Sequence, residues 1–214
     1  DPDHNAQLAL LLKLVRGLID LDRGGDAVLL ARAARDLAAS YNDVEAEVKA
    51  GAYLVDALWE SFPLAASDAH LHCRVLAETK GSQAARLWVL RREVFLQLVG
   101  GEGSDRSMAS AETLRLALGL SVSARWHALQ LWRRAQADGD RDAFLAESVA
   151  VVEGMRESGV IARAEVHLLL ARASGGLGES DLARYHAAAA RHLARTQGCR
   201  RMVRQAEDLL AAKT

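Results

Sequence analysis

Proline is almost missing from this chain: Pro2 and Pro63 are the only two in 214 residues, so little in it forbids helix. Cysteine is just as sparse, and Cys73 and Cys199, far apart in sequence, read as two free thiols. Aromatic residues make up 5%, and no stretch of alternating β-branched residues asks to be a strand. No signal peptide and no uninterrupted apolar span of membrane length is present, which makes a cytoplasmic location the expectation. A formal net charge of -1 gives no overall push toward nucleic acid or an anionic membrane. Lysine is scarce as well, with four residues against 23 arginines. No Ser/His/Asp order, Walker loop or dinucleotide fingerprint occurs, and the run from Gly100 to Ser104 lacks the Lys-Ser/Thr ending of a phosphate loop. No catalytic residue and no cofactor is therefore expected.

What is present is helical periodicity with a long beat. Between Arg163 and Gly198, Val166, Leu169, Leu170 and Ala173 fall on one helix face. Gly175-Gly176-Leu177-Gly178 breaks the pattern, and Leu182, Tyr185, Ala189 and Leu193 form a second stripe beside the small run Ala187–Ala190. Such a helix hairpin cannot bury both stripes alone. The break recurs at Gly24-Gly25, Phe62-Pro63, Gly100–Gly103, Asp138-Gly139 and Gly178, in steps of roughly 38 to 39 residues. A second series, Asn42-Asp43, Gly81-Ser82, Leu120-Ser121, Gly159 and Gly198, runs half a period out of phase. A period of this length belongs to arrays of stacked supersecondary units. The expectation is an all-α, right-handed superhelical solenoid of about five helix hairpins plus a C-terminal capping helix, with residues 1–214 forming one repeat domain.

The run Gly178-Glu179-Ser180-Asp181-Leu182-Ala183, followed by Ala187 and Ala190, resembles the inter-helix turn and second helix of tetratricopeptide repeats. Ala27, Ala31 and Ala34 in the first unit, and Gly139 with Ala143 in the fourth, are similar. That family repeats at about 34 residues; the longer period here resembles the arrays of large bacterial regulators of the maltose-activator (LuxR/MalT-type) class. HEAT or armadillo repeats, at about 40 to 47 residues, stay open as an alternative, although the chain lacks the prolines expected of HEAT helices. The resemblance implies a helical-repeat segment that receives a small ligand or a partner protein, and with the start at Asp1-Pro2 it suggests a fragment of a longer protein.

Along the chain, Leu8, Leu11, Leu12, Val15, Leu18 and Ile19 predict one face of a first helix, while Leu10, Leu14 and Leu21 make it apolar on nearly every side. Asp26 is expected to cap the second helix, and Asn42 with Glu45 to form a capping-box variant. Leu71, Val75 and Leu76 predict the buried face of the fourth helix. Gly100 to Ser107 reads as the most flexible segment. In the fourth unit Phe144, Leu145, Val149 and Val152 are expected to point inward. Met202, Val203, Ala206, Leu209 and Leu210 give the last helix a single apolar face, as in a capping helix. Register is least certain in residues 82–120, where the 39-residue column through Tyr53 places Arg92 at an apolar position.

Candidate functional residues come from aligning the units. One column holds Leu10, Lys49, Trp88, His127 and Val166; another holds Arg16, Val55, Val94, Arg133 and Arg172. The second column, with Trp126, is the expected concave groove: Arg16, Arg133 and Arg172 would form an anion-reading rim around Val55 and Val94, suited to an acidic peptide or a polar small molecule. The plainer reading of these arginines is a solvated helix face, and of Trp59, Trp88, Trp126 and Trp132 repeat-to-repeat packing. His70, His72 and Cys73 are close in sequence but point apart on a helix, so no metal is expected. The arginine pairs Arg91-Arg92, Arg133-Arg134 and Arg200-Arg201 lie near Glu93, Asp138 and Glu207 without interleaved aromatics, which argues against nucleic acid.

Three roles fit these residues. The first is a protein-interaction or ligand-sensing module of a larger bacterial transcriptional regulator. The second is an adaptor holding a partner peptide in its groove. The third is an all-helical enzyme using scattered residues such as His127, His167 and Arg133, which lacks a nucleophile or base paired with an orienting group.

Overall fold

A computed structural model describes residues 2–156 and 158–212. Eleven helices and no strand occur among them: α1 (Pro2–Asp20), α2 (Gly24–Ser40), α3 (Val44–Leu58), α4 (Pro63–Thr79), α5 (Gln83–Gly100), α6 (Asp105–Ala117), α7 (Ala124–Asp138), α8 (Arg141–Gly154), α9 (Val160–Gly176), α10 (Ser180–Thr196) and α11 (Arg200–Ala211). The chain is all-α. Its contacts divide it into two compact units, one running to Gln97 and including Asp105–Leu120, the other made of Leu98–Ser104 and the chain from Ser121 on.

In the first unit α1 packs on α2 and α3, and α3 on α2 and α4. Leu8, Leu12, Val15 and Ile19 bury the predicted face of α1. The facing stripe on α2 is made of alanines, Ala27, Ala31, Ala34 and Ala38, each fully buried. Side chains this short bring helix axes close, so much of the core is contact between large residues of one helix and backbone of the next. The same economy governs α4. Its buried residues are Ala66, Cys73 and Ala77, whereas the expected Leu71 and Val75 are exposed. The reason lies opposite: Gly51 of α3 meets the Cys73 thiol so closely that an added Cβ would overlap the sulfur. Val48, Cys73, Ala77, Ala85 and Val89 then join α3, α4 and α5 in one cluster.

In the second unit α7 packs on α8 and α9, α9 on α10 and α11, and α10 on α11. Ala183, Ala187, Ala190 and Ala194 repeat the alanine stripe on α10. Met202 and Ala206 of α11 close one cluster with Ala164, Leu168, Ala190 and Ala194. In α8 the buried positions are Phe144, Ser148 and Val151, and the expected Val149 is exposed. Tyr185 is exposed too.

Several boundaries differ from expectation for local reasons. Gly24 and Gly25 open α2 instead of breaking the chain; the turn before it is made by Asp22, at φ 60. Asp26 lies in the first turn of α2, ion-paired with Arg23 at 2.5 Å. Asp43, not Asn42, caps α3, its carboxylate accepting from the Ala46 amide at 3.0 Å, while Asn42 takes φ 56 to make the turn. Asn and Asp tolerate this left-handed conformation better than other side chains. Pro63 starts α4 at a position where its missing N–H costs nothing. In the segment expected to be flexible, α6 already begins at Asp105, Ser104 and Ser107 are buried, and the Ser107 hydroxyl bonds Glu93 at 2.8 Å. Arg92, at the anomalous position of its column, is half-buried and ion-paired with Asp56.

Candidate functional site

The first unit holds an open cavity of about 400 Å³ between α1, α3 and α5. Helix periodicity puts Leu8 and Leu12 of α1, Val48 of α3 and Ala85 of α5 along its floor. Trp88 stands at its wall, 39% exposed, and is held edge-on by Tyr53, with ring centroids 6.2 Å apart and planes at 77°. The Arg92 guanidinium lies 5.8 Å from the Trp88 ring centroid, a distance at which a cation is drawn to the ring face. Burial raises the Tyr53 phenol above its ordinary range, so the hydroxyl stays protonated there.

Charge in the groove is unevenly committed. Asp43 is occupied by its cap, and Glu45 accepts the Ser82 backbone N–H at 3.1 Å, tying α3 to the turn before α5. Lys49 also lines the cavity and has no hydrogen-bond or ion-pair partner among the described residues. An apolar floor, an exposed indole and a free ammonium suit an apolar side chain beside a carboxylate.

The six residues expected to form the groove are divided between the two units. Val55 and Val94 are fully buried in the first unit and Trp126 is 1% exposed in the second; such side chains offer a ligand no surface. Arg16 is half-buried, with its guanidinium on Asp20 at 3.1 Å, a local i,i+4 pair of the kind that covers solvated helix faces. Arg133 is half-buried in α7, and the Arg172 guanidinium lies 5.8 Å from the Trp132 ring centroid. Arg16, Val55 and Val94 belong to one unit and Trp126, Arg133 and Arg172 to the other. Lys49 and Trp88, in the neighbouring column, are the ones that open onto the cavity.

Of the other tryptophans, Trp132 is buried and Trp59 meets Phe95 edge-on at 5.4 Å. His70 and His72 turn to different carboxylates, Glu93 and Glu47, each at 3.4 Å. The hydrogen bond from His70, then that from Ser107, hold the Glu93 carboxyl below its ordinary range. Burial pushes the Cys73 thiol up to about 11, which keeps it an inert thiol at neutral pH. Among the described residues no group of three His, Cys, Asp or Glu could hold a metal ion. His127 shares Glu147 with Arg134, and these contacts, Arg134 first, lower the Glu147 carboxyl.

Taken together, the helices and the groove define an all-α protein, and no described helix is long and apolar enough to cross a membrane. No family model, curated protein or solved structure matches the chain.

Proposed function

We propose that this chain is the interaction module of a larger bacterial regulator, a tetratricopeptide-like array of stacked helix hairpins that holds a peptide segment of a partner protein. The cavity between α1, α3 and α5 carries this reading. In stacked hairpins the first helix of each pair lines one face, and α1, α3 and α5 are the first helices of the first three pairs. Contacts between alternate helices, α1 with α3 and α7 with α9, support the same stacking within each unit. The peptide places an apolar side chain against Leu8, Leu12 and Trp88, with an acidic residue on Lys49. The unpaired ammonium is what favours an acidic peptide over a basic one.

A fluorescent peptide array that varies apolar and acidic positions independently tests this. Peptides with an apolar residue next to Asp or Glu are expected to bind. Trp88→Ala should weaken them at least tenfold, about 1.4 kcal/mol, and Lys49→Gln should erase the preference for acid over amide. Binding that is unchanged in both variants would move the partner site off this groove.

A further inference from the structure

The second unit contains a smaller cavity, about 280 Å³, between α8, α9 and α10. Its polar lining, among the described residues, is basic or imidazole: Arg156, Arg163, His167 and His192. Met155 and Leu193 supply apolar wall. Arg134 is matched with Glu147, Arg141 with Glu179 and Arg195 with Glu207, while Arg184, Arg191 and Arg200 have no side-chain partner among the described residues. Arg156 and Arg163 have no side-chain partner among the described residues, and the Arg163 Nε is buried without a hydrogen bond. A guanidinium N–H withdrawn from water and left unpaired is costly; the stem of Arg163 is thus held in the wall, and its charge is left without a carboxylate partner among the described residues.

The imidazoles add a directed donor. His167 and His186 are both buried, and their Nδ1 atoms face each other at 2.9 Å, so one ring donates and the other accepts. His186 Nε2 is buried with no partner. If His167 donated, His186 would carry its proton on that Nε2 and bury an orphan N–H. If His186 donates from Nδ1, its Nε2 is only an unfilled acceptor, the cheaper defect. The second arrangement leaves the His167 proton on Nε2, the nitrogen not turned to His186, on a ring that lines the cavity. Burial holds both rings neutral at neutral pH, so the arrangement does not depend on charging either of them.

From this we infer that the cavity is a binding site for a small metabolite bearing an oxyanion, a phosphate ester or a carboxylate, clamped by Arg156 and Arg163 and oriented by His167 Nε2–H. Arginine suits this role because its planar fork matches both groups. The inference concerns a different unit from the peptide groove and stands or falls without it.

The test titrates the protein with inorganic phosphate and, separately, with succinate at constant ionic strength, reading melting temperature and the imidazole nitrogen resonances. A saturable rise in melting temperature with either anion is expected, with a shift of the His167 Nε2 resonance. A response to phosphate alone assigns a phosphate ester, and one to succinate alone a carboxylate. Arg163→Gln should weaken binding at least tenfold, while Arg141→Gln, which removes the same charge from a paired exposed site, should leave it unchanged. Should Arg163→Gln fail to fold, the resonance shift in the unmodified protein still decides. No saturable response to either anion, or equal weakening in both variants, overturns the proposal.

Discussion

The first and last complete helix pairs, α1 with α2 and α9 with α10, follow one plan in different residues. Four periods of about 39 residues carry Ala27, Ala31, Ala34 and Ala38 onto Ala183, Ala187, Ala190 and Ala194, all buried. The same step carries Asp22 and Asn42 onto Gly178 and Gly198, and all four residues have positive φ. Two other correspondences separate the pairs. Leu10 and Leu14 are 58% and 49% exposed, while Val166 and Leu170, their counterparts, are 2% and 0%. Helix α9 has α7 packed on it in addition to α10 and α11, whereas α1 contacts α2 and α3. Burial of that face is thus set by the neighbouring helix, not by how apolar the residues are. Finally, Leu11 and Leu30 become His167 and His186, so a pair of apolar positions in one repeat is a hydrogen-bonded imidazole pair in the other.

Truncation at matched sites gives the sharpest contrast. Leu170→Ala should cost about 2–5 kcal/mol and Leu14→Ala less than about 0.5 kcal/mol, read by chemical denaturation. Similar losses at the two sites would break the comparison.

Acid should find the histidine pair next. Both rings titrate at about 4 when folded, against 6.5 for an ordinary histidine, with burial as the main cause for each. The unfolded chain therefore binds more protons between those values, and stability falls as pH drops from about 6.5 to about 4. The loss should be on the order of 3 kcal/mol per histidine, with the two protons taken up by a coupled pair and not by either ring alone. Replacing both by leucine, as in the first pair, should flatten this part of the pH–stability curve. A curve of unchanged slope in the double variant would place the acid sensitivity elsewhere.

Overpacking tests the alanine stripes. Ala34→Leu and Ala190→Leu should each destabilise by roughly 1–3 kcal/mol, and losses below about 0.5 kcal/mol at both would contradict the close helix approach. The smallest effect is at the turns. Asn42→Gly, which makes the first pair resemble the last, should stabilise by a few tenths to about 1 kcal/mol, and a loss there would mean that the Asn42 side chain does more than make the turn.

Much of the helical order was legible in the sequence, because Leu8, Leu12, Val15 and Ile19 stand at regular helical spacing and the alanine stripes repeat. The face of α4 was not. A reading weighted toward large apolar residues picks Leu71 and Val75, but a helix pressed against Gly51 buries Cys73 and Ala77. Capping was misplaced by one residue, since Asn42 and Asp43 are both good caps and only the turn at φ 56 decides between them. Periodicity alone does not tell which α3 residue meets the cavity: Lys49 lines it, whereas Val55 is buried against α1, α2 and α4. The basic cavity had no linear signal, because Arg156, Arg163 and His192 meet only once α8, α9 and α10 fold together.

The most direct test of the proposed role is fluorine NMR of the protein labelled with 5-fluorotryptophan, titrated with an apolar-acidic peptide from the array. The expected result is a saturable shift of the Trp88 resonance, with those of the buried Trp126 and Trp132 unmoved. A peptide that binds while Trp88 stays still would contradict the groove between α1, α3 and α5 as the place where this protein meets its partner.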